Sequence, residues 1–189
     1  MNCIKMFNFL LMVCLLFLVS GCVCKYPLTY VPVTEKKCIN NIVIALDSIQ
    51  DYRKNKENIG CNRNLYFMPI QRVQSIQSAD SWISYALEQE LYNAGYLVDF
   101  SNNACKYRLK SDLYNLFIDR YLITRIDIKI GFSLLEDDKV VFSKIYEINR
   151  TEKLLGSEFE IYLQQICKEL MTDINTYFIN SNANIKNGE

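Results

Sequence analysis

The chain has 189 residues, with 21 Lys+Arg against 21 Asp+Glu and no histidine. The missing histidines exclude a Ser-His-Asp triad, a Cys-His pair, a His-bearing zinc site and a histidine general base. Zero net charge argues against nucleic acid, which needs a basic footprint to release counterions, and 50% hydrophobic residues suffice to fill the core of one domain.

The N-terminus reads as a targeting segment. Lys5 precedes an unbroken apolar run from Phe9 to Val19, too short for the about 20 residues that a spanning helix needs. The run ends in Val19-Ser20-Gly21-Cys22, which resembles the bacterial lipobox. The resemblance implies cleavage between Gly21 and Cys22 and acyl chains on Cys22. At about 0.8 kcal/mol per buried CH₂, two or three chains make a stable anchor. An ordinary secretory peptide with a coincidental cysteine, or an uncleaved membrane helix, are the competing readings.

Beyond Cys22, residues 22–38 contain Pro27 and Pro32 and little periodicity, and read as a flexible tether. A single domain is expected over 39–179, with a disordered polar tail over 180–189. Asn41 to Leu46 is β-branched and strand-like, Asp47 to Asn64 is polar, and Leu65 to Ile70 suggests a second strand. Ala79 to Ala94 predicts an amphipathic helix, capped by Ser78 or Asp80 and stopped by Gly95. Its apolar stripe is Trp82, Ile83, Ala86, Leu87, Leu91 and Ala94, and Trp82 is expected in the core rather than in an aromatic binding box.

After Gly95 the period falls to two. Tyr96-Leu97-Val98 starts a strand, and Tyr107, Leu109, Ser111, Leu113, Asn115 and Phe117 alternate loosely. Ile126, Ile128, Ile130, Phe132 and Leu134 alternate strictly, and after the turn Glu136-Asp137-Asp138-Lys139 the segment Val140 to Ile148 returns as a hairpin partner. The acids of that turn read as a solvated turn, since no spaced oxygen-ligand loop accompanies them. Ser157-x-x-Glu160 is a capping box opening a helix to about Phe178, with Phe159, Leu163, Ile166, Cys167, Leu170, Met171, Ile174 and Phe178 on one face. The expected fold is α+β: a mainly antiparallel sheet of about six strands with two amphipathic helices packed on one face.

The sequence contains eight cysteines. Cys3 and Cys14 would leave with the signal and Cys22 would be lipidated. Among Cys24, Cys38, Cys61, Cys105 and Cys167, Cys167 reads as a buried apolar residue and Cys61 with Cys105 as the pair to test for a disulfide. No CxxC spacing occurs, which weakens redox and zinc-knuckle readings. No metal site and no cofactor are expected.

The order of features has a familial look. Ile42-Val-Ile-Ala, Asp51-x-Arg53, Ile59-Gly60 with Asn62 and Asn64, Ser81-Trp82-Ile83, and Ala86-Leu87-x-x-Glu90-Leu91-x-x-Ala94-Gly95-Tyr96 together resemble the YajG-like family of bacterial lipoproteins. The helix segment is more faintly similar to auxiliary lipoproteins of lipid-trafficking ABC transporters. The resemblance implies a periplasm-facing envelope lipoprotein and brings no established catalytic residues. Val23 after the acylated cysteine favours the outer membrane, with an inner-membrane anchor as the alternative. Asp51, Arg53, Ile59 and Gly60 are open to two readings: a self-contained loop, or a contact for a partner. The function expected is a non-catalytic binding or accessory role, held to the membrane by Cys22 and meeting an envelope partner. The competing class is a carboxylate-dependent peptidoglycan enzyme using Glu88, Glu90 or the Glu136 to Asp138 turn.

Overall fold

The computed structural model describes residues 22–38, 40–64, 66–100, 105–152 and 158–186. In chain order the elements are β1 (Cys22–Tyr26), β2 (Val43–Leu46), β3 (Gln50–Asp51), β4 (Asn58–Arg63), β5 (Pro69–Ser75), α1 (Ala79–Asn93), β6 (Leu97–Asp99), β7 (Tyr107–Arg120), β8 (Thr124–Glu136), β9 (Lys139–Glu152) and α2 (Glu158–Lys186).

The antiparallel meander β7-β8-β9 is the part that side-chain period dictates. On β8, Ile126, Ile128, Ile130, Phe132 and Leu134 are buried while Arg125, Asp127, Lys129 and Ser133 face outward. On β7 the parity changes midway. Leu109, Ser111 and Leu113 are buried, then Leu116 and Ile118, because a bulge opposite β8 falls between Leu113 and Asn115. The inserted residue flips the alternation, so Asn115 and Phe117 do not continue the inward row that the sequence suggests.

The sheet corrects the expectation of about six mainly antiparallel strands. Among the described residues it has nine strands, and it is mixed. β8 occupies one edge of β7 along its length, so β2, β3 and β4 pair in succession, all parallel, along the other. β6 then adds in parallel to β2, β5 antiparallel to β4, and β1 parallel to β5. The unexpected strands β1, β3 and β4 are short and carry no regular apolar alternation, and backbone pairing holds them in the sheet.

Both helices bury their apolar stripes in the same core as the inward residues of β7 and β8, as expected of a one-faced packing. α1 stops where expected: the Ala94 and Gly95 amides bond back to the Glu90 and Tyr92 carbonyls, and Gly95 has φ 92°. A side chain at Gly95 would also run into the Cys38 carbonyl, so glycine is required twice over. α2 extends past Phe178 to Lys186, so the polar tail expected from residue 180 begins inside the helix. The loss of apolar period there marks where the helix leaves the core, not where it ends. Ser157 of the expected capping box lies outside the described residues.

Candidate functional site

Residues 1–21, with the signal-peptide and Val19 to Gly21 readings, lie outside the described residues. Cys22 is the first residue of β1, and its backbone pairs with Gln71 of β5. No slack follows it, which corrects the tether expected over 22–38. Leu28 and Tyr30 are buried, and the segment around them is strapped across both helices. Pro27 and Pro32 keep it out of a ladder, so its backbone groups are met one at a time by side chains of the two helices and of Gln77 just before the first. Gln77 Nε2 donates to the Leu28 carbonyl, Trp82 Nε1 to the Thr29 carbonyl (2.7 Å) and Gln164 Nε2 to the Val31 carbonyl (2.8 Å). Glu160, read from sequence as a capping acid, accepts from Thr29 Oγ1 at 2.8 Å and the Val31 amide at 2.9 Å.

Glu90 is the centre of this strap. Its side chain is fully buried, and Oε1 accepts from the Tyr30 hydroxyl (2.6 Å) and the Val33 amide (2.7 Å), while Oε2 accepts from the Thr34 amide (2.9 Å). Burial, the neighbouring Cys167 and the hydrogen bond to Glu90 all push the Tyr30 hydroxyl far above its usual range, so it stays a donor. Glu90 therefore holds the fold's own donors rather than facing a cleft. Glu88 is half-buried on the same helix. Glu136 belongs to a separate cluster, accepting from Tyr177 (2.6 Å) and Tyr107 (3.3 Å) and pairing with Lys106 (2.9 Å). Asp137 and Asp138 form the β8–β9 turn with φ 48° and 63°, and Asp138 pairs with Arg108 at 3.0 Å. Of the carboxylates proposed for glycan chemistry, Glu90, Glu136 and Asp138 are thus held by different sets of partners. Among the described residues, no group of three or more Cys, Asp or Glu is arranged to hold a metal ion.

Asp51 and Arg53 close on each other. Arg53 donates from Nε to Oδ1 (3.0 Å) and from Nη2 to Oδ2 (2.7 Å), its amide donates to Oδ1 (3.0 Å), and Nη2 also reaches the Lys56 carbonyl (2.8 Å). Both side chains are over nine-tenths buried. Burial alone would raise the Asp51 pKa, but the hydrogen bonds and charge of Arg53 outweigh it and hold the carboxyl below its usual range. The side chain this loop projects is Tyr52, exposed and stacked on exposed Tyr114 of β7 at 5.6 Å. Sequence reasoning missed that pair. The outward parity of Tyr114 on β7 was the available signal.

Ile59 and Gly60, expected in a loop, lie in β4. Ile59 is fully buried, and Gly60 pairs with Ile118 of β7. A Cβ on Gly60 would overlap the Ile118 carbonyl, so glycine is there for close strand approach.

The expected Cys61–Cys105 disulfide is absent, and all five described cysteines with side chains in place are free thiols. Cys61 pairs in register with Asp119, near the end of β7, whereas Cys105 precedes its first residue. At about 3.3 Å per residue, β7 separates them by roughly 40 Å, against the about 6 Å Cα separation of a disulfide. Each thiol faces an aspartate instead: Cys61 Sγ to Asp119 Oδ1 at 3.4 Å, and Cys105 Sγ to Asp99 Oδ2 at 3.3 Å. Cys167 is fully buried, as expected, and burial pushes its thiol up to about 12.

Comparison with known proteins gives the fold a setting. No family model and no curated protein matches the sequence. Among solved structures, the chain is similar to protein XCC0632 from Xanthomonas campestris, of family-model DUF330, with TM-score 0.63 and 17% identity over 84% of this chain and 99% of that one. PelC from Paraburkholderia phytofirmans, a dodecamer, matches at TM-score 0.49 and 12% identity over 74% of this chain and 92% of that one. Lipoprotein GNA1162 from Neisseria meningitidis matches at TM-score 0.39 and 10% identity over 76% and 99%. The chain shares the fold of the Xanthomonas protein.

Proposed function

We propose that this protein is a lipid-anchored lipoprotein of the bacterial envelope, facing the periplasm, with a non-catalytic binding or accessory role. The carrying observation is that Cys22, the residue that the lipobox-like Val19-Ser20-Gly21-Cys22 would acylate, lies in the sheet and pairs with Gln71 of β5, so that an anchor there would be joined to the folded body itself. The YajG-like resemblance and outer-membrane sorting by Val23 are the finer parts of the same reading. The partner is met at the Asp51 to Arg53 loop, whose internal ion pair fixes Tyr52 in an outward position.

Metabolic labelling with a fatty acid should mark the wild type and miss Cys22→Ala; equal labelling of both would overturn the anchor. A photo-crosslinker at Tyr52 in intact envelopes should capture one dominant partner. Turnover of purified peptidoglycan by the protein would overturn the non-catalytic role.

A further inference from the structure

The strand registers line up one transverse row across the sheet: Cys22, Gln71, Asn62, Arg120, Thr124 and Glu152. This row is the end of the sheet at which β1, β5 and β8 begin and β4, β7 and β9 finish. Two turns project from it. One joins β4 to β5 and carries Tyr66, Phe67, Met68 and then Ile70, all exposed, with Tyr66 at 81% and Phe67 at 64%. The other joins β7 to β8 and carries exposed Leu122 and Ile123. The turns touch through Phe67 and Tyr121, whose rings lie 4.4 Å apart.

The first turn is built to present its aromatic residues. Phe67 has φ 60°, a costly conformation for a bulky side chain, of order 1–2 kcal/mol. The surrounding bonds hold it there. The Tyr66 and Met68 amides donate to Asn64 Oδ1 at 2.9 and 3.1 Å, and the Phe67 amide donates to the Asn64 carbonyl at 3.0 Å. Arg63, fixed by Asp119 at 2.7 Å, donates from Nη1 to the Phe67 carbonyl at 2.9 Å. Strain and hydrogen bonds spent on keeping an apolar ring in solvent point to something apolar outside the chain.

Charge distinguishes this end as well. Among the described residues, Arg63, Arg72, Arg120, Arg125 and Arg150 lie within two residues of the row, against the acids Asp119 and Glu152. Arg72, Arg125 and Arg150 are exposed. The opposite end of the meander is balanced, with Glu136, Asp137 and Asp138 set against Lys106, Arg108 and Lys139. Apolar tips ringed by arginine suit a bilayer interface with anionic headgroups, where aromatic rings settle at headgroup depth and each basic side chain adds about 1 kcal/mol.

We propose that this end of the sheet lies on the bilayer, with the Tyr66 to Met68 and Leu122 to Ile123 turns inserted in the interface. The occupant is a lipid surface rather than a protein because Cys22, the residue that the lipobox-like Val19-Ser20-Gly21-Cys22 would acylate, is the first position of the same row. An acylated Cys22 puts the membrane within a few strand spacings of about 4.8 Å of both turns. The proposal rests on the anchor reading above.

Full-length Phe67→Trp, Leu122→Trp and Val140→Trp proteins are purified from membranes and reconstituted in phosphatidylethanolamine–phosphatidylglycerol vesicles with or without brominated acyl chains. Wild type, with Trp82 buried in the core, gives the background. Val140 is exposed beside the opposite turn, about 40 Å away along β8, and serves as the reference. Bromolipid should quench the tryptophans at 67 and 122 severalfold more than that at 140. Equal quenching at all three, or none at 67 and 122, overturns the proposal and leaves the turns as a protein contact. The samples are checked for acylation by mass. Failure of quenching in acylated protein sinks the docking geometry alone, whereas protein without acylation at Cys22 sinks the anchor reading itself.

Discussion

Glu90→Gln is the sharpest test of whether the N-terminal segment is part of the domain. Glutamine keeps the volume but replaces one oxygen with a donor. If its oxygen faces Tyr30 and the Val33 amide, the amide group confronts the Thr34 N–H; if it is flipped, two donors lose their acceptor. Hydrogen bonds to a charged acceptor are worth about 1.5–3 kcal/mol each, and relief of a buried carboxylate's desolvation returns part of the loss. A net cost of about 2–4 kcal/mol follows. In a chain of this size it lowers the melting temperature by roughly 5–15 °C. Amide exchange by mass spectrometry then locates the effect: residues 30–34 should lose protection while β8 retains it. Tyr30→Phe completes a double-mutant cycle, and its coupling to Glu90→Gln should exceed about 1 kcal/mol. Unchanged protection at Val33 and Thr34 with a native melt would refute the strap, as would an increase in stability.

Three further outcomes are expected. Gly60→Ala forces a side chain against the Ile118 carbonyl between β4 and β7, and should cost about 3 kcal/mol or more in chemical denaturation. The carboxyls of Asp51, Glu136 and Asp173 sit below their usual range, Glu136 through Tyr177 and Lys106, the other two because Arg53 or Lys144 with Tyr146 outweighs burial. Their stabilisation is therefore present above about pH 4 and lost as pH falls through the lower native values, so the melting temperature should drop progressively into acid. On the alkaline side the burial-raised Cys167 thiol, at about 12, stabilises the protein below the unfolded thiol's pKa of about 8.5 and loses that contribution as pH rises, so Cys167→Val should flatten the melting curve above pH 9.

The parts legible in the sequence are those whose side chains repeat the geometry. One buried face on β8 writes a period of two, and one buried stripe on each helix writes a period near four, so both helices and the β8–β9 hairpin stood out. β3 and β4 left no such trace. Gln50, Asp51 and Asn62 serve the edge of β7 through backbone pairing, Asn58 and Arg63 pair with β5, and these residues are mostly half-exposed. The strap at residues 28–34 was invisible for a related reason: Glu90, Glu160, Gln77 and Gln164 are ordinary helix-surface residue types until the partner segment is in place. The apolar run at residues 65–70 misled in the opposite direction. It resembles a buried strand, yet its described side chains are exposed and the strand begins only at Pro69. Apolar composition reports an apolar environment without saying whether the fold or something outside it supplies that environment.

The absence of slack after Cys22 also constrains how a partner is met. A flexible tether of about fifteen residues would give the body a reach of roughly 20 Å and free rotation. Here β1 is in the ladder from its first residue, and the following segment is bonded to both helices, so a membrane anchor at Cys22 would fix the strands relative to the bilayer. β7 to β9 would then stand away from the surface, with the Asp137–Asp138 turn roughly 40 Å out and Tyr114, with Tyr52 stacked on it, about halfway. On the proposed anchor, a partner that contacts Tyr52 would have to reach that height, which favours a protein with a body outside the membrane over one confined to the membrane plane. Glu90→Gln separates the two contributions to this posture. It frees the strap but leaves the β1–β5 ladder intact, so crosslinking at Tyr52 should persist if the ladder alone sets the height and fall if the strap is needed.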